Sequence, residues 1–395
     1  MVDAEFWQWV SDNSHADTMR LRLSAKKATW TDLAITQIEC RKRADAKIPK
    51  ELAFESFLFP TALSAEQCTS DTLAAFHAGL VSPGASVTDL TAGLGIDSFH
   101  LASTCREVTA VEIQPEVARA LEHNASVLGL GNVTVVCADC CNYVAALHDK
   151  AFDVAFIDPA RRGKDNCRLF SLHDCQPDVT WLLPKLARIA RKLIVKMSPM
   201  LDISSVVSDL PGTTDVYAVG SHRECKELVA VVDLDNDAVT EALIHIWTPN
   251  AHLVFTRAEE AGARSEYGIP QQGWYLYEPW PVTQKAAPYK LLCSRFGVLK
   301  LSANTHLYTS PDKIDGFPGT CRRVINILPF SSSVLKTFAR TYPHIDVAVR
   351  NFPMEADILR RKLKVKPADE CGLRLMATTV ASDNERLMMV LEAMC

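Results

Sequence analysis

The residues best equipped for chemistry lie in Val87-Thr88-Asp89-Leu90-Thr91-Ala92-Gly93-Leu94-Gly95-Ile96-Asp97. A β-rich run enters a turn with two glycines and leaves as a helix, an arrangement that brings backbone N–H groups against a nucleotide-like ligand. A dinucleotide fingerprint wants a third glycine where Ser98 stands. It also tolerates poorly a carboxylate at the strand tip, where Asp89 sits, because pyrophosphate is anionic. A carboxylate there suits a cationic ligand, such as the amino-acid ammonium of S-adenosyl-L-methionine. The sign of the charge favours a methyl donor over NAD.

The next strands also end in acids. Glu112 ends Thr109–Glu112, at the distance beyond Gly95 expected of a carboxylate gripping ribose hydroxyls. Asp139 ends Val135–Asp139 and could face an adenine amino group, while Asp158-Pro159-Ala160-Arg161 follows Ala155–Ile157. Each acid alone could equally cap a helix; together with the glycine turn they form a set. Methyl transfer from a sulfonium is an in-line displacement, so placing the nucleophile supplies much of the rate, about 7–11 kcal/mol in favourable cases. Asp158 is the candidate for removing a target proton or for holding the target by hydrogen bonding. Arg161, Arg162 and Lys164 could clamp a phosphate. Lys196 and Ser198, and the turn residues Arg223, Glu224, Cys225 and Lys226, would face substrate if their strands end on the same edge. Cys225 could attack a pyrimidine ring, although a buried thiol is the blander reading.

Positioning these groups requires a particular set of elements. The first seventy-odd residues read as helix: Phe6, Trp7, Trp9 and Val10 begin one amphipathic stretch, Ala28 to Arg43 forms another, and Pro49 and Pro60 interrupt. A further helix opens at Leu63, with Ser64 as N-cap and Gln67 completing a capping box. From Ala85 short β-rich runs alternate with helical stretches: Ser86–Leu90, Val108–Ile113, Val133–Cys137, Val154–Ile157 and Leu193–Met197. That rhythm predicts a doubly wound parallel sheet whose strand ends share one edge. Asp215–Val219 is joined to Glu227–Leu234 by a link too short for a parallel crossover, so this last pair must be an antiparallel hairpin. Leu243–Trp247 and Leu253–Thr256 read as another hairpin. Trp274, Tyr275, Tyr277 and Trp280 suit packing along a strand better than stacking on bases. Near the end a βαβαβ order suits a small α+β unit of ferredoxin-like character. The expected domains are a helical region over 1–75, an α/β domain over 76–235, a β-rich region over 236–322 and an α+β unit over 323–395.

The chain resembles class I S-adenosylmethionine-dependent methyltransferases over roughly 63–234. More narrowly, it is similar to a bacterial group with an appended ferredoxin-like region and a C-terminal THUMP-like domain. The narrow match rests on Leu63–Thr69, Asp89–Asp97, Asp158–Arg162, Met197–Ile203, Glu224–Leu228, Tyr275–Pro279, Ser302–Ser310 and Val349–Pro353. The resemblance implies a Rossmann-like seven-stranded sheet with an antiparallel last strand, and an RNA substrate. It implies that Asp89, Thr91, Gly93 and Gly95, with Asp97 closing the motif, bind the cofactor's methionine side. Glu112 would take the ribose and Asp139 the adenine. Asp158, Pro159 and Arg161 would then lie beside the transferred methyl. Arg161 replaces the aromatic residue that many base methyltransferases stack on the target, which leaves the target atom open.

Composition sets the outer bounds. The 395 residues, 48% hydrophobic and 23% charged, are those of a globular chain and exclude a collagen-like or wholly disordered one. An acidic start without a following apolar stretch, and no run long enough to span a bilayer, lead us to expect a cytoplasmic protein with no membrane partner. The 13 cysteines read as reduced thiols; neither Cys137 with Cys140 nor Cys167, His173 and Cys175 completes a zinc set, so no structural metal is expected. The net charge of −5 hides two basic segments, 20–50 at +6 and 357–366 at +4, which leave −15 elsewhere and suit RNA backbone contacts. Methyl transfer to a small molecule or protein, and RNA binding without catalysis, are the competing readings; the oligomeric state is open.

Overall fold

In the computed structural model, residues 3–24, 28–161, 171–236, 241–368, 372–380 and 385–393 are described. The chain divides into two units, Met1–Thr214 with Val229–Thr240, and Asp215–Leu228 with Glu241–Cys395.

The first unit is built on parallel strands β1 (Ser86–Asp89), β2 (Glu107–Glu112), β3 (Val133–Cys137), β4 (Phe152–Ile157) and β5 (Ala190–Met197). Their order is β5-β4-β1-β2-β3, every adjacent pair parallel. β1 therefore lies centrally and is buried along its whole length, as a strand covered on both faces requires. Reversal of strand order at β1 opens a crevice at the carboxyl edge, where ligands of such sheets bind. Pro115 begins the helix Pro115–Val127 that follows β2, its fixed φ already helical.

The amino-terminal helices join this unit's core. Cys40, Ala44, Ile48, Phe57 and Phe59 pack with Leu94, Ile96 and Phe99 from the glycine turn and its helix. Ala28–Arg43 is realised as helix Thr31–Ala44. The next helix runs Ala62–Gln67, and its N-cap is Thr61, whose hydroxyl accepts from the Ser64 amide, not Ser64 as expected. Thr61 is extended, with φ −145° and ψ 160°, and the helix that starts after it has Ser64 at its third position, where its own amide needs the cap.

The expected last hairpin is present as β6 (Thr213–Gly220) and β7 (Cys225–Asp233). Its turn is closed by the Ser221 amide donating to Glu224 O at 2.8 Å, and its open end by Thr214 Oγ1 donating to Val231 O at 3.3 Å.

In the second unit, β8 (Leu243–Thr248) runs parallel to β6 and pairs antiparallel with β9 (Ala251–Phe255). A second sheet comprises β10 (Tyr275–Pro279), β11 (Leu299–Ser302), β12 (Thr305–Ser310), β13 (Gly319–Pro329), β14 (Asp346–Arg350), β15 (Arg374–Thr379) and β16 (Arg386–Ala393). Their order is β11-β12-β10-β13-β16-β15-β14. The anticipated βαβαβ elements are all found, and β16 is inserted between β13 and β15, antiparallel to both. Helices Ser332–Thr341 and Ala356–Leu363 cover one face through Phe338, Leu359 and Leu363, which meet Met388 and Val390 of β16. The opposite face buries Met389 and Leu391 against Leu276, Val324 and Met376. Tyr277 is fully buried with Tyr308 and Phe317, consistent with the packing role anticipated for it.

Candidate active site

The glycine turn springs from the tip of β1. The Ala92 amide donates to Val111 O and the Gly95 amide to Ala92 O, each at 2.9 Å, which folds the loop back on β2 before helix Ile96–Ala102 starts. Gly93 and Gly95 have φ of +54° and +95°, so both need a residue at ease in the left-handed region. A Cβ on Gly95 would stand 2.7 Å from Phe99 Cζ, whereas one on Gly93 would enter open space. The first glycine therefore leaves a free approach to the backbone, and the second permits close packing.

Asp89 at the strand tip is buried. Its Oδ2 accepts from Ser98 Oγ at 2.6 Å and its Oδ1 from the Thr91 amide at 3.2 Å. Burial pushes its pKa up to about 7, with the Ser98 hydrogen bond opposing the shift and the Asp97 charge adding to it. Glu112 at the end of β2 accepts from the Gly93 amide at 3.0 Å and from the Gln114 amide at 2.8 Å. It thus ties the glycine turn to the second strand and fixes its own orientation. Asp139 is the N-cap of Cys140–Ala146, accepting from the Asn142 amide at 3.0 Å. Asp89 and Glu112 end their strands, whereas Asp139 lies two residues beyond β3 as a helix N-cap; each of the three accepts from backbone N–H groups.

Asp158 follows β4. Its amide donates to Thr91 Oγ1 at 2.7 Å, which joins the β4 loop to the β1 loop. Its half-exposed carboxylate is paired with Lys196 Nζ at 2.7 Å. Lys196, near the end of β5, also donates to Thr69 Oγ1 at 2.9 Å and lies 3.7 Å from Asp97 Oδ2. Asp97 accepts from Thr69 Oγ1 at 2.6 Å and meets His77 Nδ1 at 2.7 Å. Burial would raise the Asp97 pKa, but Lys196 and His77 overcome it and hold the carboxyl well below the usual range. A buried chain of His77, Asp97, Lys196 and Asp158 thus ends at the crevice. Asp97, expected beside the cofactor, here has both oxygens turned to Thr69 and His77.

Thr69 and His77 were not singled out by sequence reasoning. Their one signal is that His77 is a polar residue amid the apolar Leu73, Ala74, Phe76 and Ala78 of helix Asp71–Gly79. Ser198 Oγ accepts from the Met200 amide at 3.3 Å, shaping the loop after β5. The backbone of Arg161, reached through Pro159, pairs with Cys175 in a two-residue ladder; Arg162, Lys164 and Cys167 lie outside the described residues.

Arg223, Cys225 and Lys226 belong to the second unit. Arg223 Nε donates to His222 Nε2 at 3.2 Å, and Lys226 pairs with Glu224 at 3.3 Å. Burial pushes the Cys225 thiol up to about 11. That is opposite to what a nucleophilic cysteine needs, and it weighs against the expected reactivity.

Family models match three stretches: a methyltransferase domain at 88–159, a ferredoxin-like domain at 275–318 and a THUMP domain-like region at 319–393. A crystal structure from Porphyromonas gingivalis W83, of a protein proposed to be a methyltransferase, superposes with a TM-score of 0.88 at 28% identity, covering 100% of this chain and 99% of that one. An uncharacterized RNA methyltransferase of Thermosynechococcus vestitus is 33% identical over 108 residues, 27% of this chain and 24% of that protein. The 23S rRNA (uracil(1939)-C(5))-methyltransferase of Shewanella amazonensis is 38% identical over 84 residues, 21% of this chain and 19% of that protein. The chain therefore spans about a quarter or less of the length of these two curated relatives.

Proposed function

We propose that this chain, which belongs to the S-adenosylmethionine-dependent methyltransferases carrying ferredoxin-like and THUMP-like domains, transfers a methyl group to RNA. The observation that carries the reading is the pairing of an open, left-handed Gly93 with the buried carboxylate of Asp89 and the fixed carboxylate of Glu112. This donor set fits the cofactor: Asp89 is a buried acid with no ion pair among the described residues, Glu112 keeps lone pairs for ribose hydroxyls, and Asp139 would take the adenine end. When bound, S-adenosylmethionine supplies an electrophilic methyl on a sulfonium.

The chain's own residues do the rest. Thr91 accepts the Asp158 amide and so fixes the loop that presents Asp158 to the crevice. Lys196 pairs with the Asp158 carboxylate and so fixes its orientation toward the target. Asp97 and His77 hold the Lys196 ammonium and act on the target only through it. Substrate recognition falls to the THUMP-like domain, in keeping with the RNA activity named for the curated relatives. The carbon-5 target of the Shewanella enzyme does not extend to Cys225 here, given its suppressed ionisation.

The test is transfer of labelled methyl to total RNA from a strain lacking the protein, followed by digestion to nucleosides and mass spectrometry. A single labelled nucleoside is expected. Label only in protein or metabolites would replace RNA by another acceptor. Asp158→Ala should lower kcat by about 10²–10⁴ and leave cofactor affinity, read by calorimetry, unchanged. Retained turnover would remove Asp158 from the mechanism.

A further inference from the structure

Away from the glycine turn, three side chains that the proposed transfer does not use converge where three helices of the first unit meet. Glu51 lies on Pro49–Leu52, Asp71 opens Asp71–Gly79, and His100 lies on Ile96–Ala102. His100 Nε2 stands 3.5 Å from Glu51 Oε1 and 3.5 Å from Asp71 Oδ1. One donor atom from each residue can be chosen so that all three fall within 4.8 Å of one another. Charge-assisted hydrogen bonds run shorter, at about 2.7–2.9 Å. Accordingly Glu51 Oε2, Asp71 Oδ1 and His100 Nε2 are buried atoms without a hydrogen-bond partner among the described residues. Native structures leave few such atoms, and Glu51 is only 5% exposed with its carboxylate aimed at the imidazole.

The spacing has a simple geometric meaning. Around a tetrahedral ion with bonds of about 2.0–2.1 Å, neighbouring donors lie about 3.3–3.4 Å apart. The two 3.5 Å separations are close to the edges of such a tetrahedron. We propose that Glu51, Asp71 and His100 bind one divalent transition-metal cation of the Zn²⁺ class. An imidazole between two carboxylates selects against Mg²⁺ and Ca²⁺, which prefer oxygen ligands alone. The ion offsets two carboxylate charges that otherwise face each other in a buried setting. It also ties helix Ile96–Ala102, which follows the glycine turn and carries Asp97, to the two amino-terminal helices. The sequence offered no hint of this, because positions 51, 71 and 100 are too far apart for a local ligand motif.

The test uses the full chain, stripped with a chelator and reloaded with Co²⁺. The 13 cysteines are the competing ligands, so the spectrum matters as much as the stoichiometry. We expect one equivalent of Co²⁺ with visible ligand-field absorption and no thiolate charge-transfer band. His100→Ala and Glu51→Gln each abolish that equivalent. Zn²⁺ displaces the Co²⁺ and raises the Tm of the wild type but of neither variant. Absence of uptake, a thiolate band, or uptake unchanged in the two variants overturns the proposal and leaves an imidazolium–carboxylate cluster in its place. Glu51→Gln keeps the side-chain shape, so a folding failure of the histidine variant does not decide the outcome.

Discussion

At Asp89 a carboxylate is buried at a strand tip with two donors beside it, the Ser98 hydroxyl and the Thr91 amide. Eight residues on, Asp97 is also buried but has a lysine and a histidine for neighbours. The two acids therefore respond to pH in opposite ways. Burial raises Asp89 to about 7, above the roughly 3.9 of an unfolded aspartate. Its contribution to stability is then full below about pH 4 and lost as pH rises through about 7. For Asp97, burial is outweighed by Lys196 and His77, so its contribution is present above about pH 4 and is lost as acid protonates it. An ammonium ligand needs Asp89 ionised. Affinity for S-adenosylmethionine is expected to fall by up to about tenfold per pH unit below about 7 and to level off above it. Calorimetry across that range, repeated on Asp89→Asn, checks this. The variant should bind weakly with a flat profile, and a wild-type profile that is already flat would detach Asp89 from the ammonium.

The strand–turn–helix element divides its labour between two glycines, and substitution should separate the two functions. Gly95→Ala places a methyl 2.7 Å from Phe99 Cζ at a φ of +95°, so a loss of about 1–3 kcal/mol in stability is expected. Gly93→Ala meets nothing and costs only the left-handed strain, about 1–2 kcal/mol, but its methyl points into the space that a ligand would take. Thermal unfolding and cofactor affinity measured on both should rank them oppositely; the same ranking in both assays would refute this division. This element was legible in the sequence because a change of hydrophobic period, a glycine pair and one acid per strand end all point the same way. The His77–Asp97–Lys196–Asp158 chain was not, since residues from four elements meet only once the sheet is wound. β16 also escaped, because Leu387–Leu391 is a continuous apolar run, buried on both faces, with no alternation to betray a strand. The N-cap moved three positions, from Ser64 to Thr61, because both hydroxyls suit a cap and only the chain's entry into the helix decides between them.

For the whole molecule, net charge says little about an RNA partner, and the use made of each cation says more. The segment at 20–50 carries +6, yet much of it is committed within the protein. Arg41 donates to the carbonyls of Phe54, Glu55 and Phe57, Lys47 to that of Glu66, Lys42 to that of Ala16, and Arg22 pairs with Glu39. Those cations hold helices together. In the THUMP-like domain Arg361, Lys362, Lys364 and Lys366 are exposed along and just beyond helix Ala356–Leu363, and Lys336 and Arg340 are exposed on helix Ser332–Thr341. A cationic surface on the helical layer can release counterions from a phosphate backbone, and each phosphate contact on single-stranded RNA steepens the salt dependence by about 0.7. Replacing Lys362, Lys364 and Lys366 together by Gln is therefore expected to weaken RNA binding and to lower the slope of log affinity against log salt by about 2. Cofactor affinity should be unaffected, because the substitutions leave Asp89 and Glu112 untouched. Arg41→Gln should instead lower the Tm and leave the slope alone. An unchanged slope in the triple variant, with RNA still bound, would move the RNA surface away from this helical layer.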